Sequence, residues 1–130
     1  HPLMIVTQET GQQLAQKWLT SWNGRDMDAL IDLYGSEILY LTPLANIVFE
    51  NKKDGLVSGK SKIRDYFSRC LDRWPDQQFK IQHLFIGVES LTVLYFGFDG
   101  AILNEIMILN PQEKIKKVYC NYMVSPTTWS

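Results

Sequence analysis

The sequence predicts an α+β domain in which helices pack on one face of a curved antiparallel sheet. Two observations carry this prediction. Up to residue 75 the apolar residues recur mainly at helical spacing, whereas from residue 78 onward they alternate along the chain or form short apolar runs. The breaks between these runs are short enough for hairpins. Because the chain shows no repeat and no linker, a single domain is expected to fill residues 1–130.

Three helices are expected in the first part of the chain. The first spans Gln8–Asn23 and is followed by Gly24, where a C-terminal cap is expected. The second begins after Asp26, a good N-cap residue, and ends at Gly35. The third follows a Ser-Gly break and is stopped by Pro75. Their apolar stripes consist of Leu14, Ala15, Trp18, Leu19 and Trp22; Met27, Leu30, Ile31 and Tyr34; and Ile63, Tyr66, Phe67, Cys70, Leu71 and Trp74.

Extended segments are expected at six places. A short strand at 37–42 stops before Pro43, and a second extended piece at 47–57 is interrupted by the polar turn 51–55. The remaining four strands are predicted at 78–86, 91–98, 101–109 and 114–123. Since their junctions are short, these four strands should form an antiparallel meander.

Composition excludes several classes of function. The 13 basic and 14 acidic residues leave a net charge of -1, which excludes a strongly basic nucleic-acid binder. Two cysteines are too few for a disulfide framework, so a cytoplasmic setting is expected. No apolar run is long enough to span a bilayer, and the start HPLMIV lacks the basic flank of a signal peptide, so no membrane partner is expected. We expect residues 1–7 to be a disordered start or a remnant of cloning.

The histidines indicate neither a metal site nor a certain functional role. With only His1 and His83 and no clustered carboxylates, no metal or other cofactor is expected. His83 alternates with Phe79, Ile81 and Phe85, so it is expected on an apolar face. There it is either a hydrogen-bonded core or edge residue, or a polar group of a ligand site.

Glu105 is the most unusual polar residue of the chain. Its strand is apolar on both faces, and alternation places Glu105 on the face of Leu103 and Met107. A carboxylate on such a face must be paired, protonated or functional, because burying it without partners is costly. A structural salt bridge and a rim position in contact with water are the alternatives. If desolvation dominates, the pKa of Glu105 should be raised.

The last strand presents Val118, Cys120 and Tyr122 on one face. Cys120 has no cationic neighbour on that face, so we expect it to pack as a small apolar residue rather than to act as a nucleophile. The opposite face, with Tyr119 and Asn121, mixes apolar and polar residues.

Two motifs carry a resemblance to a known family. The segment W-N-G-x-D-x-D-A-L-x-x-L-Y occupies 22–34, and G-x-x-x-I-R-x-Y-F occupies 59–67. With the strand ending in Thr-Pro and the four closing strands, they resemble the nuclear transport factor 2-like superfamily, in particular its SnoaL-like branch near the ketosteroid isomerase and polyketide cyclase group. The resemblance implies a cone-shaped, cystatin-like fold whose curved sheet wraps the helices and whose apolar cavity opens at the wide end. It also implies a homodimer formed through the open sheet face.

The resemblance to the steroid isomerases suggests roles for individual residues. The family's oxyanion-donor tyrosine falls at Trp18, and its general-base aspartate falls at Thr42, which cannot abstract a proton near neutral pH. The second oxyanion donor, a protonated aspartic acid, falls at Glu105. Ketosteroid isomerisation is therefore not expected. Glu105 itself, helped by Tyr40 or His83, is the alternative acid or base.

The leading hypothesis is a small-molecule-binding protein, with acid/base chemistry of the isomerase, cyclase or lyase type left open. Glu105 and Trp18 are the candidate catalytic residues. The candidate ligand-binding residues are Trp22, Tyr34, Tyr40, Thr42, Phe67, His83, Leu103, Met107, Val118, Cys120 and Tyr122. The alternatives are a binding or accessory protein without catalysis and an oligomerising scaffold with a vestigial cavity.

Overall fold

A computed structural model describes residues 2–124 of the chain, and these residues alternate between helices and strands before closing with four strands. The order is α1 (Gln8–Asn23), α2 (Met27–Asp32), β1 (Tyr34–Leu41), α3 (Ala45–Val48), β2 (Leu56–Ser58), α4 (Lys60–Arg73), β3 (Lys80–Ile86), β4 (Ser90–Phe96), β5 (Ile102–Leu109) and β6 (Ile115–Tyr122). A 3-10 turn, Phe98–Gly100, joins β4 to β5.

The two long helices have the boundaries and the buried faces that their apolar spacing predicts. The side chain of Thr7 accepts a hydrogen bond from the backbone N–H of Thr10 and so caps the N-terminus of α1. Trp18 and Trp22 are buried on the inner face of α1, and Phe67 is buried on that of α4. Both helices therefore pack their aromatic stripes against the inner face of the sheet.

The strands form one curved sheet in the order β2-β1-β6-β5-β4-β3. The predicted antiparallel meander is confirmed, because β3, β4, β5 and β6 pair antiparallel in sequence. One pair differs from the expected antiparallel sheet: β1 runs parallel to β6, with Tyr40 opposite Val118. The long connection between these two strands permits either direction, so local hairpin signals could not predict it.

Two local predictions are wrong. Tyr34 and Gly35 were expected to end the second helix, but they begin β1, because the Leu33 carbonyl accepts a hydrogen bond from the Ile115 N–H and draws this segment to β6. The extended piece at 47–57 contains the short helix α3 and only three residues of strand, β2. The Asn46 side chain accepts from the Gly55 N–H, so this connection folds back on itself.

From residue 4 onward the start of the chain packs onto the β3–β4 turn. These residues are therefore not disordered, which was one of the two expectations for residues 1–7. Val6 is only 2% exposed, and its N–H donates to the Gly87 carbonyl. Ile5 forms a β-bridge with Val88. Gly11 permits the close approach of α1 to β3, because a Cβ there would lie 2.6 Å from Cγ2 of Ile86.

Candidate functional site

Glu105 lies at the centre of the inner sheet face. In the register of the sheet it is opposite Val93 of β4 on one side and opposite Cys120 of β6 on the other. The period of two along β5 turns Leu103, Glu105 and Met107 to the same side, and Glu105 is 0% exposed. The rim alternative is thereby excluded, since no part of this side chain reaches water.

Two tyrosines and one cysteine surround the carboxylate. The Tyr40 hydroxyl lies 2.5 Å from Oε1 of Glu105, and the Tyr95 hydroxyl lies 3.1 Å from Oε2. Cys120 Sγ lies 3.6 Å from Oε1 and 3.5 Å from the Tyr40 hydroxyl. We call Glu105, Tyr40, Tyr95 and Cys120 the glutamate–tyrosine cluster. Each of these hydrogen-bond partners is neutral, so the structural salt-bridge alternative does not describe the site.

Burial controls the electrostatics of the glutamate–tyrosine cluster. Desolvation raises the pKa of Glu105, and the hydrogen bonds from Tyr40, Tyr95 and Cys120 oppose this shift. The pKa values of Tyr40 and Tyr95 are raised well above their ordinary value, first by burial and then by the nearby Glu105 and Cys120. Burial likewise raises the pKa of the Cys120 thiol. The tyrosines therefore remain protonated donors, and Cys120 is not an activated nucleophile.

A small cavity adjoins the glutamate–tyrosine cluster and is lined in part by its members. Its volume is about 10 Å³. That is room for about one water molecule. We call it the cone cavity; it is lined by Trp22, Tyr40, Thr42, Leu44, Tyr66, Phe79, Tyr95, Phe98, Leu103, Cys120 and Tyr122. Glu105 is not among these residues, whereas its partners Tyr40, Tyr95 and Cys120 are. Glu105 thus reaches the cavity only through the groups that it binds.

Three aromatic rings of the cavity wall pack against one another, and one of them also packs against Trp74. Phe98, on the 3-10 turn between β4 and β5, stacks on Trp74 with ring centroids 5.2 Å apart. It also contacts Phe79 at 4.8 Å and Trp22 at 5.6 Å. We call these four rings the aromatic cluster. Trp74 and Phe98 are only half-buried, so they form its outer layer.

The structure separates the predicted site residues into two groups. The cone cavity is lined by Trp22, Tyr40, Thr42, Leu103, Cys120 and Tyr122. The core beside it contains Trp18, Tyr34, Phe67, Met107, Val118 and Glu105, each at most 1% exposed and none lining the cavity. Within the described residues, the indole N–H of Trp22 is buried without a hydrogen-bond partner, whereas the Trp18 side chain interacts with the Tyr34 hydroxyl.

Of the alternatives for His83, the structure agrees with an edge residue, because His83 lies on β3 at the edge of the sheet. The pairing of β3 with β4 shifts register between Ile81 and His83, so that His83 is opposite Leu94. This shift reverses the alternation, and both His83 and Phe85 are exposed on the outer side of the sheet. His83 therefore cannot assist Glu105 or line the cavity.

Tyr95 is the important residue that the sequence reasoning missed. It follows Leu91 and Val93 at a spacing of two, and all three are buried on the inner face of β4. That alternation was present in the sequence. Its partner Glu105 could not be identified, because the contact depends on how β4 and β5 pair.

Residues 2–124 carry neither a candidate metal cluster nor a candidate membrane-spanning helix. These residues contain no group of three or more His, Cys, Asp or Glu side chains that could hold a metal ion. No helix within the same residues is long and apolar enough to cross a membrane.

Comparison with known proteins establishes the family. The sequence profile of the SnoaL-like domain matches residues 15–105, which is more than half of the chain. The protein therefore belongs to the SnoaL-like domain family. A search of curated proteins gives no match.

Solved structures agree with this assignment. A SnoaL-like protein of unknown function from Burkholderia thailandensis is 25% identical over 93% of this chain and 100% of its own, with a TM-score of 0.86. A protein of unknown function with a cystatin-like fold from Methylobium petroleophilum is 12% identical over 94% and 81%, with a TM-score of 0.73. A candidate ketosteroid isomerase from Kribbella flavida is 16% identical over 90% and 80%, with a TM-score of 0.61. The predicted cystatin-like, nuclear transport factor 2-like fold is confirmed.

Proposed function

We propose that the protein binds a small, largely apolar molecule in the cone cavity and uses the tyrosines of the glutamate–tyrosine cluster as its polar anchor. One observation carries the proposal. Glu105 is completely buried, and its carboxylate oxygens bind the hydroxyls of Tyr40 and Tyr95, which line the cavity. A buried acid that is connected to a cavity wall in this way is typical of a functional site.

The energetics of the core support this proposal. Replacing a buried polar network by well-packed apolar residues is often neutral or stabilising, so structural stability does not require one here. The unpartnered indole N–H of Trp22 adds a further cost of about 1–3 kcal/mol. A polar interior of this kind is more readily explained by recognition of a ligand than by packing.

Ligand entry requires movement, because the cavity of about 10 Å³ is too small for an organic molecule. The half-buried rings of Trp74 and Phe98 form the outer layer of the aromatic cluster and are the groups that can swing outward. Such side-chain changes on binding are common even where the backbone moves little.

The proposal extends to acid/base catalysis of the isomerase or cyclase type on the bound ligand. Thr42 lines the cavity but has no carboxylate, so a proton would have to pass between ligand and Glu105 through Tyr40. Conversion of a bound ligand by the wild type but not by Glu105→Gln would support catalysis. Binding with no conversion would favour the non-catalytic alternative.

Binding can be tested with a panel of small cyclic alcohols, phenols and ketones, using ligand-observed NMR and thermal shifts. Tyr40→Phe removes a hydroxyl from the cavity wall and should weaken binding. Tyr119→Phe is the matched control, because Tyr119 is 37% exposed and does not line the cone cavity. The proposal fails if no compound binds, or if both variants bind exactly as the wild type does.

The small cavity also favours a second candidate, an accessory or scaffold protein that acts as a homodimer through its sheet. The outer sheet face carries partly exposed apolar side chains at Leu94, Phe96, Ile102, Ile106, Ile108 and Tyr119. Such a face suits burial against a second copy. Sedimentation equilibrium should show a wild-type dimer and a monomeric Ile106→Lys variant, while Gln12→Lys on the exposed face of α1 stays dimeric. A monomeric wild type would contradict this candidate.

A cytoplasmic location is retained as part of the proposal. Cys70 and Cys120 are both buried and unpaired, which suits a reducing compartment. Fractionation of the producing cell tests it, and recovery outside the cytoplasm would contradict it.

A further inference from the structure

The hydroxyl protons of Tyr40 and Tyr95 are directed by Glu105. A tyrosine hydroxyl has one proton to donate and can also accept hydrogen bonds. Tyr40 is bound to Oε1 of Glu105 and Tyr95 to Oε2, so the two tyrosines use different oxygens of the same carboxyl group. An ionised carboxylate can only accept, and both hydroxyl protons must then point toward it. The tyrosine oxygens are left with only lone pairs for the cone cavity.

We propose that Glu105 sets the hydrogen-bonding preference of the cone cavity through Tyr40 and Tyr95. With Glu105 ionised, the wall accepts hydrogen bonds and favours a ligand with a hydroxyl or amine group. With Glu105 protonated, the wall gains a donor and favours a carbonyl oxygen. The inference rests on the proposed ligand-binding function and specifies the class of ligand.

The protonated state follows from counting protons. Glu105 takes one proton from solvent and donates it to the oxygen of one tyrosine, while the other tyrosine still donates to the remaining carboxyl oxygen. The tyrosine that now accepts has its own proton free, and this proton can point into the cavity. No covalent bond other than O–H is formed or broken. Binding of a carbonyl is therefore linked to proton uptake, and binding of an alcohol to proton release.

Glu105 is the group of the cluster whose charge changes. The titratable groups around Glu105 are Tyr34 and Tyr40 from β1, Tyr95 from β4 and Cys120 from β6. The charge of Glu105 raises the pKa of each of these four groups. Burial raises the pKa of each of these four neighbours, so they stay neutral where Glu105 titrates. Burial moves the pKa of Glu105 upward from its ordinary value.

The remaining polar groups of the cavity wall do not impose this preference. Thr42, Tyr66 and Tyr122 also line the cavity, but none of them is hydrogen-bonded to Glu105. Their hydroxyls can rotate to donate or to accept. Glu105 is accordingly a positioning residue, and Tyr40 and Tyr95 are the groups expected to contact the ligand.

The test compares cyclohexanol with cyclohexanone, which share a ring and differ in their ability to donate. Dissociation constants for the wild-type protein are measured by ligand-observed NMR from about pH 5 to about pH 9. The ratio of alcohol affinity to ketone affinity should rise by about tenfold across this range, the equivalent of one hydrogen bond gained or lost. A ratio that stays constant while both compounds bind, or that falls, overturns the inference and leaves the proposed function standing.

Glu105→Gln supplies an independent readout. Its amide offers one acceptor and one donor group at every pH, as the protonated acid does. The affinity ratio should therefore be independent of pH and close to the low-pH value of the wild type. Glu37→Gln is the matched control, because Glu37 is exposed and lies away from the cavity, and it should keep the wild-type pH dependence. A wild-type pH dependence in Glu105→Gln overturns the inference. Failure of any compound to bind the wild type overturns the proposed function and the inference together.

Discussion

The Tyr40 hydroxyl lies 2.5 Å from Oε1 of Glu105, although the two residues are 65 positions apart in the chain. Tyr40 is on β1 and Glu105 on β5, and β6 lies between these strands. Cys120 of β6 lies within 3.6 Å of both groups. The contact therefore links the parallel strand pair β1–β6 to the meander.

Tyr40→Phe should destabilise the fold by about 1–3 kcal/mol, because it removes a hydrogen bond from a buried carboxyl group. The loss should be larger at high pH, where Glu105 is ionised and the bond is charge-assisted. Urea denaturation at two pH values measures it. Tyr119→Phe, on the outer sheet face, should change stability by less than about 0.5 kcal/mol. Equal effects of the two variants would contradict the prediction.

Glu105 should make the folded state less stable as pH rises. Its pKa in the folded state is raised above the ordinary 4.5, mainly by burial, so the folded protein binds this proton more tightly than the unfolded chain. The resulting stabilisation is complete below pH 4.5 and is lost as pH rises through the folded-state pKa. Glu105→Gln should abolish this part of the pH dependence, measured by denaturation in a pH series.

Glu37→Gln is the control for that pH series, because the contribution of Glu37 to stability depends on pH in the opposite direction. A hydrogen bond from the Asn110 side chain is the main cause that lowers the pKa of Glu37, so its contribution is present above the unfolded-state pKa and is lost as pH falls. Since Glu37 is fully exposed, the effect should be small. If the free energy of unfolding changed with pH in the same way in Glu105→Gln and Glu37→Gln, burial of Glu105 would not be the cause of the pH dependence.

Leu103→Ala should convert the small cone cavity into a site for benzene or indole. Leu103 lines the cavity and is 4% exposed, so its truncation should cost about 2–5 kcal/mol and leave space beside Tyr95. Bound ligand should then raise Tm in a concentration-dependent way. Leu109→Ala is the matched control on the same strand, because Leu109 is 1% exposed and does not line the cavity. A comparable ligand response in both variants would contradict this account.

Arg25 should stabilise the chain segment that carries Trp74 and Phe79 of the aromatic cluster. Its guanidinium donates to the Pro75 carbonyl at 2.6 Å and to the Gln77 carbonyl at 2.7 Å, which holds the segment between Trp74 and Phe79. Nη2 makes both of these bonds, while Nη1 donates to the Trp22 carbonyl on the other side. The single nitrogen of lysine cannot span both sides, so Arg25→Lys should cost about 1–3 kcal/mol and speed hydrogen exchange at the Phe79 amide.

Arg64→Lys provides the comparison for Arg25. Arg64 pairs with Asp28 on the surface, and both side chains are largely exposed. Its replacement should change stability by less than about 0.5 kcal/mol and leave exchange at Phe79 unaltered. Unchanged exchange in Arg25→Lys would show that the segment is held by other contacts, such as the two hydrogen bonds between Asn23 and the Phe79 backbone.

The prediction of the fold succeeded where the signal was local. Caps and apolar stripes placed α1 and α4, and short junctions placed the meander. The prediction failed at Tyr34, which has helical spacing in the sequence but pairs with Ile115 as part of β1. It failed at 47–57 because a side chain, Asn46, folds that connection back. At Tyr34 a contact distant in the chain overrides the local preference, whereas at 47–57 a side-chain contact within the connection does so.

The sequence by itself determined that Glu105 shares a face with Leu103 and Met107 and that Cys120 shares a face with Tyr122, because alternation along a strand needs no information from other strands. Only the tertiary structure decided that Tyr95 binds Glu105, that a register shift turns His83 outward, and that Glu105 lies behind the cavity wall. Register, bulges and cavity volume depend on how strands pair and how rings fill the space between them, and no single segment carries that information.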